Sequence, residues 1–526
     1  MEKTQSFYQK KNLNKYYKKA NAYLADLRYE YFQENNLPFE NLLFYDLLTS
    51  FKSIIACNLS NNHESIGINL DARVLIECLT FYRVWKNNGF KDNQIAYLVY
   101  SSVFADAKFR HQTSAFPQRI PLDAEFDSIE KDLLRQKSCF KEQLKYARKN
   151  QFDYKYFFGL NKNFVGITSL YQFVESYGEE NYGKMHQFFS ILNHPIFIVN
   201  KSYKDQIDKV REEYLNALMI EVIDIVDELD VSNINIAKSF TGLKDYYKEE
   251  TQLFGDLVKK INAIDKAYIE KYPKVDYMLS ILRTVGDYGF CLFSDAYQVM
   301  NRYKLIFEQC AFFDKCLSHN DKNMFEKFEL TSYVSLEDYL SKDFNKNTNM
   351  NKLYDLFKDE IQDDKKEFSK KIHTKSINFL NYGKSTTYTS IVQNYLDVYK
   401  IRALTPSTFF ENDFKGTFKA GHITLGSIFY SKQLSDDELK SNGAKFCTVI
   451  CMALSEVVMV LSKMGFQKEL SDLLKHIGSK ILPFAEGQIL SVTEKLFQMG
   501  NDLINAERNL VKSSESVFIS KSEEKM

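Results

Sequence analysis

Turn-forming residues set the first limit on this chain. Only 19 glycines and 7 prolines occur in 526 residues, where average usage would be roughly 7 % and 5 %. Sheets need frequent reversals. Reversals draw on these two residues, because glycine reaches positive φ at no steric cost and proline presets the turn. A chain poor in both must run in long segments with few connections. The sequence therefore predicts an all-α fold.

Apolar periodicity supports this and sets approximate bounds. Residues 12–57 carry a helical pattern that ends in the polar loop 58–65. Over 67–86, Leu75, Cys78, Leu79, Tyr82 and Trp85 recur at helical spacing and form one apolar stripe. Further helices are expected over 94–110, 125–150, 166–193 (broken near Gly178 and Gly183) and 204–230. Residues 111–124, with Pro117 and Pro121, read as a loop. In the second half the expected helices are 243–270, 274–288, 293–317, 335–341, 350–380, 386–403 and 435–463, with helical pattern continuing to about 510. The tail, 511–526, is polar.

The two halves share short blocks. Thr168-Ser-Leu-Tyr-Gln172 aligns with Thr389-Ser-Ile-Val-Gln393, and at the same offset of 221 Phe188-Phe189 falls on Phe409-Phe410. Arg73-Val-Leu-Ile-Glu77 aligns with Lys304-Leu-Ile-Phe-Glu308 at an offset of 231. The reading is two diverged helical-bundle domains from an internal duplication, 1–235 and 243–510.

Charge excludes some partners. Lys+Arg and Asp+Glu both total 69, so the chain lacks the surplus of positive charge that a nucleic-acid coat or polybasic membrane protein needs. It leaves room for local basic patches. The longest apolar run, 447–461, is about 15 residues and contains Glu456, short of the roughly 20 needed to span a bilayer. With a polar N-terminus, a cytoplasmic protein that avoids membranes is expected. The eight cysteines form no C-x-x-C pair. Most lie in apolar runs, where cysteine behaves as a small hydrophobe, so no disulfide, metal or cofactor is expected.

Two polar constellations stand out. Arg73 and Glu77 are four residues apart and share a helical face, among Leu75, Ile76, Cys78 and Leu79. A carboxylate in such company is buried and needs a partner. It is either a structural ion pair or an acid/base group. His186, Ser190 and His194 recur every four residues on one face, ahead of Pro195. His194 is either a helix C-cap or a proton donor facing Glu77. Arg110-His111 sits at a helix-to-loop junction. Two histidines without a third ligand make no metal site. Phosphate-binding glycine loops, H-E-x-x-H and G-x-S-x-G are absent from the sequence.

Leu70-Asp-Ala-Arg-Val-Leu-Ile-Glu-Cys-Leu79, followed by Ser190-Ile-Leu-Asn-His-Pro195, resembles a family of bacterial helical domains marked by R-x-x-x-E and S-x-x-x-H-P. The resemblance covers mainly residues 20–230. It extends more distantly to HEPN-type abortive-infection proteins, and it implies a phage-defence or stress setting. It makes Arg73, Glu77, Ser190 and His194 the equivalent polar positions. The HEPN catalytic pair, an arginine four to six residues before a histidine, does not occur here. In the second half, Glu411 and Lys415 stand where the offset would put Ser190 and His194.

The leading expectation is a helical binding module for a protein or nucleic-acid partner, homodimerisation included. The alternative is a metal-independent, ribonuclease-like toxin with Glu77 and His194 as catalytic residues. In both, Arg73, Arg110, His186 and Ser190 are the binding residues.

Overall fold

The computed structural model describes residues 10–34, 38–59, 66–113, 120–135, 139–194, 201–229, 324–341 and 348–358, with scattered positions between 305 and 391. Expected helices 243–270, 274–288 and 435–463, and the paired blocks at 389–393 and 409–410 apart from Ile391, lie outside the described residues. Among the described residues the fold is all-α, with no strand.

Twelve α-helices and one 3₁₀ turn are described. They are α1 (Lys10–Glu34), α2 (Phe39–Leu59), α3 (Ile66–Lys86), α4 (Asp92–Thr113), α5 (Leu122–Leu134), α6 (Lys141–Lys149) and α7 (Tyr154–Gly159). The 3₁₀ turn (Lys162–Phe164), α8 (Leu170–Tyr177), α9 (Tyr182–Leu192), α10 (Lys201–Glu228), α11 (Met324–Leu340) and α12 (Thr348–Leu356) follow.

Helices α2 and α3 form the centre. Every side chain from 42 to 55 on α2 and from 67 to 81 on α3 is buried. A helix buried on all sides has neighbours on all sides. The α2–α3 pair is packed by α1, α4, α8, α9 and α10. The apolar stripe read along 67–86 is therefore only part of the buried surface of α3.

Several boundaries differ from the periodic reading, for local reasons. The pattern over 12–57 is two helices, because Pro38 ends continuity. Its carbonyl accepts from the Asn41 amide at 3.0 Å and so starts α2. The expected 125–150 helix is α5 and α6, separated by residues 135–140. The expected loop 111–124 is shorter, with α4 running to Thr113 and α5 starting right after Pro121.

The 150–166 stretch, which shows no long period, holds α7 and the 3₁₀ turn. Asp153 caps α7 by accepting from the Tyr156 amide at 3.2 Å. Asn161 caps the 3₁₀ turn through the Asn163 amide and donates to Gly89 O and Gln94 Oε1 at 3.1 and 2.9 Å. These bonds hold the turn against the α3–α4 connection. Around it Phe81, Phe90, Phe157, Phe158, Phe164 and Phe173 interlock, with ring centroids 4.9–6.2 Å apart.

Gly178 separates α8 from α9 as expected, whereas Gly183 lies inside α9. The reason for Gly183 is close approach. A Cβ there would sit 3.2 Å from Glu175 Cα on α8.

Helices α11 and α12 belong to the second half of the chain, yet they pack into the same core. Tyr339 lies against Phe188, its hydroxyl 3.2 Å from that of Tyr214. Gln206 donates to Asn349 O at 2.8 Å, and Asn349 Nδ2 donates to Glu213 at 3.0 Å.

Candidate functional site

Helices α3 and α9 pack against each other and carry both polar constellations. Two contacts fix their sense. His186 Nε2 is 2.9 Å from Glu77 Oε1, and Asn69 Nδ2 donates to Leu192 O at 3.4 Å. Descending α3 from 77 to 69 thus accompanies ascending α9 from 186 to 192, so the helices are antiparallel. With a rise of about 1.5 Å per residue, Arg73 and Ser190 each lie one turn from the Glu77–His186 contact, at the same level of the seam.

The carboxylate has a partner across the seam. Glu77 is 0 % and His186 4 % exposed. The contact joins Nε2 to the Glu77 side chain and leaves Nδ1 as the outer ring nitrogen. Nδ1 is buried without a hydrogen-bond partner. The ring packs on Tyr171 of α8, with centroids 5.9 Å apart.

Arg73 is buried on the same face of α3. Ser190 is half-buried. His194 lies past the end of α9, half-buried, with its backbone amide donating to Ile191 O at 3.2 Å. It stands about 12 Å along the helix axis from His186. The structure brings Glu77 to His186, and His194 stands farther along the seam. Arg110 and His111 fall in the last turns of α4, not in a loop; their side chains lie outside the described residues. Lys304, Glu411 and Lys415 lie outside them as well, while Glu308 is helical and buried.

Other groups near Glu77 escaped the sequence reading. Burial pushes the Cys78 thiol well above its ordinary range, with the carboxylates of Asp46 and Glu77 adding to the effect. Burial does the same to the Tyr154 phenol, followed by Glu77 and Asp46. Both acids therefore lie close to this thiol and phenol inside the fold. Asp46 left a signal, as a lone acid within the apolar run 42–48. Lys52, also on α2, is fully buried and donates to Asn21 Oδ1 at 3.0 Å. Nothing in the local pattern marks Tyr154.

At the lower end of the seam, both amide atoms of Asn193 and the Oδ1 of Asn69 are buried without hydrogen-bond partners. Among the described residues no group of three or more His, Cys, Asp or Glu side chains could hold a metal ion. Among them, too, no helix is long and apolar enough to cross a membrane.

An imidazole oriented by a carboxylate is the geometry of a general base. A base must also reach its substrate at about 2.6–3.2 Å, and this ring is enclosed by α3, α8 and α9. As built, the pair fastens two helices. Comparison with family models, curated proteins and solved structures finds no match to this chain.

Proposed function

We propose that this chain is a helical binding module that works through its surface, with the α3–α9 seam as an interior fastening. The enclosure of the Glu77–His186 pair carries this reading, because a group with 0 % exposure meets no substrate in the folded state. The partner is a protein or a nucleic acid, and the motif resemblance suggests a bacterial defence or stress setting. The ribonuclease reading needs Glu77 and His194 to work together. Their separation along the seam and the burial of Glu77 count against it.

The test is inducible expression in a bacterial host of the wild type and of Glu77→Gln/His194→Ala, following growth and bulk RNA integrity. Intact RNA with both proteins is expected. RNA decay that disappears in a folded double variant would overturn the binding-module reading in favour of the nuclease.

A further inference from the structure

Helix α6 carries a row of cations that the fold leaves uncommitted. Lys141, Lys145 and Lys149 recur every four residues and stand one above another, about 6 Å apart and about 12 Å end to end. All three are exposed, while Gln143, Leu144 and Ala147 are buried on the opposite side in a helix that packs on α4. Among the described residues none of the three forms an ion pair. Their neighbour Arg148 contrasts with them, held by Asp127 and Glu130 of α5 at 2.6 and 2.5 Å.

Lys155 on α7 and Lys162 on the 3₁₀ turn are exposed as well. Glu142 is the one acid on α6. Its charge is felt by the Tyr156 phenol, so it lies towards that ring. Tyr146, set between Lys145 and Lys149 in the sequence, stacks on Tyr156 at 3.6 Å and 9°, both rings half-buried. A row of like charges with aromatic rings beside it matches what a polyanion carrying planar bases requires.

We propose that the Lys141–Lys145–Lys149 face binds the phosphodiester backbone of a single nucleic-acid strand. The proposal rests on the binding-module reading and names its partner. An anionic bilayer fits less well, because interfacial helices insert an apolar side and that side of α6 is sealed within the protein. The balanced total of 69 basic and 69 acidic residues keeps the attraction local to this face.

The experiment uses the full chain and fluorescent 20-nucleotide single strands of RNA and DNA, read by anisotropy between 50 and 200 mM salt. Three phosphate contacts predict a slope of log K against log salt of about −2. Lys141→Gln/Lys145→Gln/Lys149→Gln should weaken binding at least tenfold and flatten the slope. It keeps helix propensity and should leave the circular dichroism and Tm unchanged. The control Lys91→Gln/Lys209→Gln, at exposed lysines elsewhere, should bind like wild type.

Three results would overturn the proposal. They are no binding to either strand, equal binding by the triple variant, and lysine-dependent binding to phosphatidylserine vesicles without binding to the strands. Each leaves the binding-module reading standing. Cleavage of the oligonucleotide on a gel, abolished by Glu77→Gln, would instead overturn that reading and leave the lysine dependence of binding intact.

Discussion

Glu77 and His186 meet where neither can reach water. Removing one partner of a buried hydrogen bond to a charged group costs about 1–3 kcal/mol, whereas an exposed pair contributes about 1 kcal/mol or less. Glu77→Ala and His186→Ala should each cost about 1–3 kcal/mol in urea unfolding. The double variant should lose clearly less than the sum, since both changes remove the same hydrogen bond. Losses below about 1 kcal/mol would mean that the pair is not a fastening. The burial of Glu77 was legible in its apolar neighbours Ile76 and Cys78. Its contact with His186 was not, because His186 lies 109 residues away in sequence and helical periodicity reports only on positions a turn or two apart.

At the scale of elements, the α8–α9 corner depends on a missing side chain. A Cβ on Gly178 would lie 2.5 Å from Val174 O and 2.8 Å from Tyr182 Cβ. Both are fixed atoms, so Gly178→Ala must move the corner. The expected loss is about 1–3 kcal/mol, the usual cost of overpacking, and thermal unfolding would measure it. An unchanged Tm would show that the corner yields freely.

Element type was legible from turn scarcity and period, and α3 and α10 fell close to their expected bounds. Short elements were not legible, because α7 and the 3₁₀ turn are held by the caps Asp153 and Asn161 and have no room for a repeat. The block 168–172, matched in the second half, is itself a cap. Ser169 Oγ accepts from the Gln172 amide at 3.3 Å, and Gln172 Oε1 accepts from the Thr168 amide at 2.8 Å. Such a sequence recurs wherever a helix starts this way, so the match says less about duplication than its spacing suggests.

At the scale of the whole molecule, the interior is rich in tyrosine. Burial raises the phenols of Tyr97, Tyr154, Tyr182, Tyr203 and Tyr339, and pushes Tyr100 up to about 12. In an unfolded chain these groups ionise near pH 10. Above that pH the unfolded state has lost protons that the native state keeps. Stability should therefore be unaffected below about pH 10 and fall steeply as pH rises towards 12. Urea midpoints between pH 9 and 11.5, read with phenolate absorbance, would check this. Gradual phenolate formation without unfolding would contradict it. Tyr203 and Tyr339 each pack against rings from the opposite half of the chain, so the loss should be shared across the core.

The antiparallel seam also bears on how the protein comes to exist. Its two strips of polar groups are made far apart in time. At about 5–20 residues per second, a ribosome needs about 5–20 s to travel the 109 residues from Glu77 to His186. During that interval α2 and α3 can pair, but Glu77 has no imidazole to meet. The face of α3 that α9 covers therefore stays open to water until α9 has emerged.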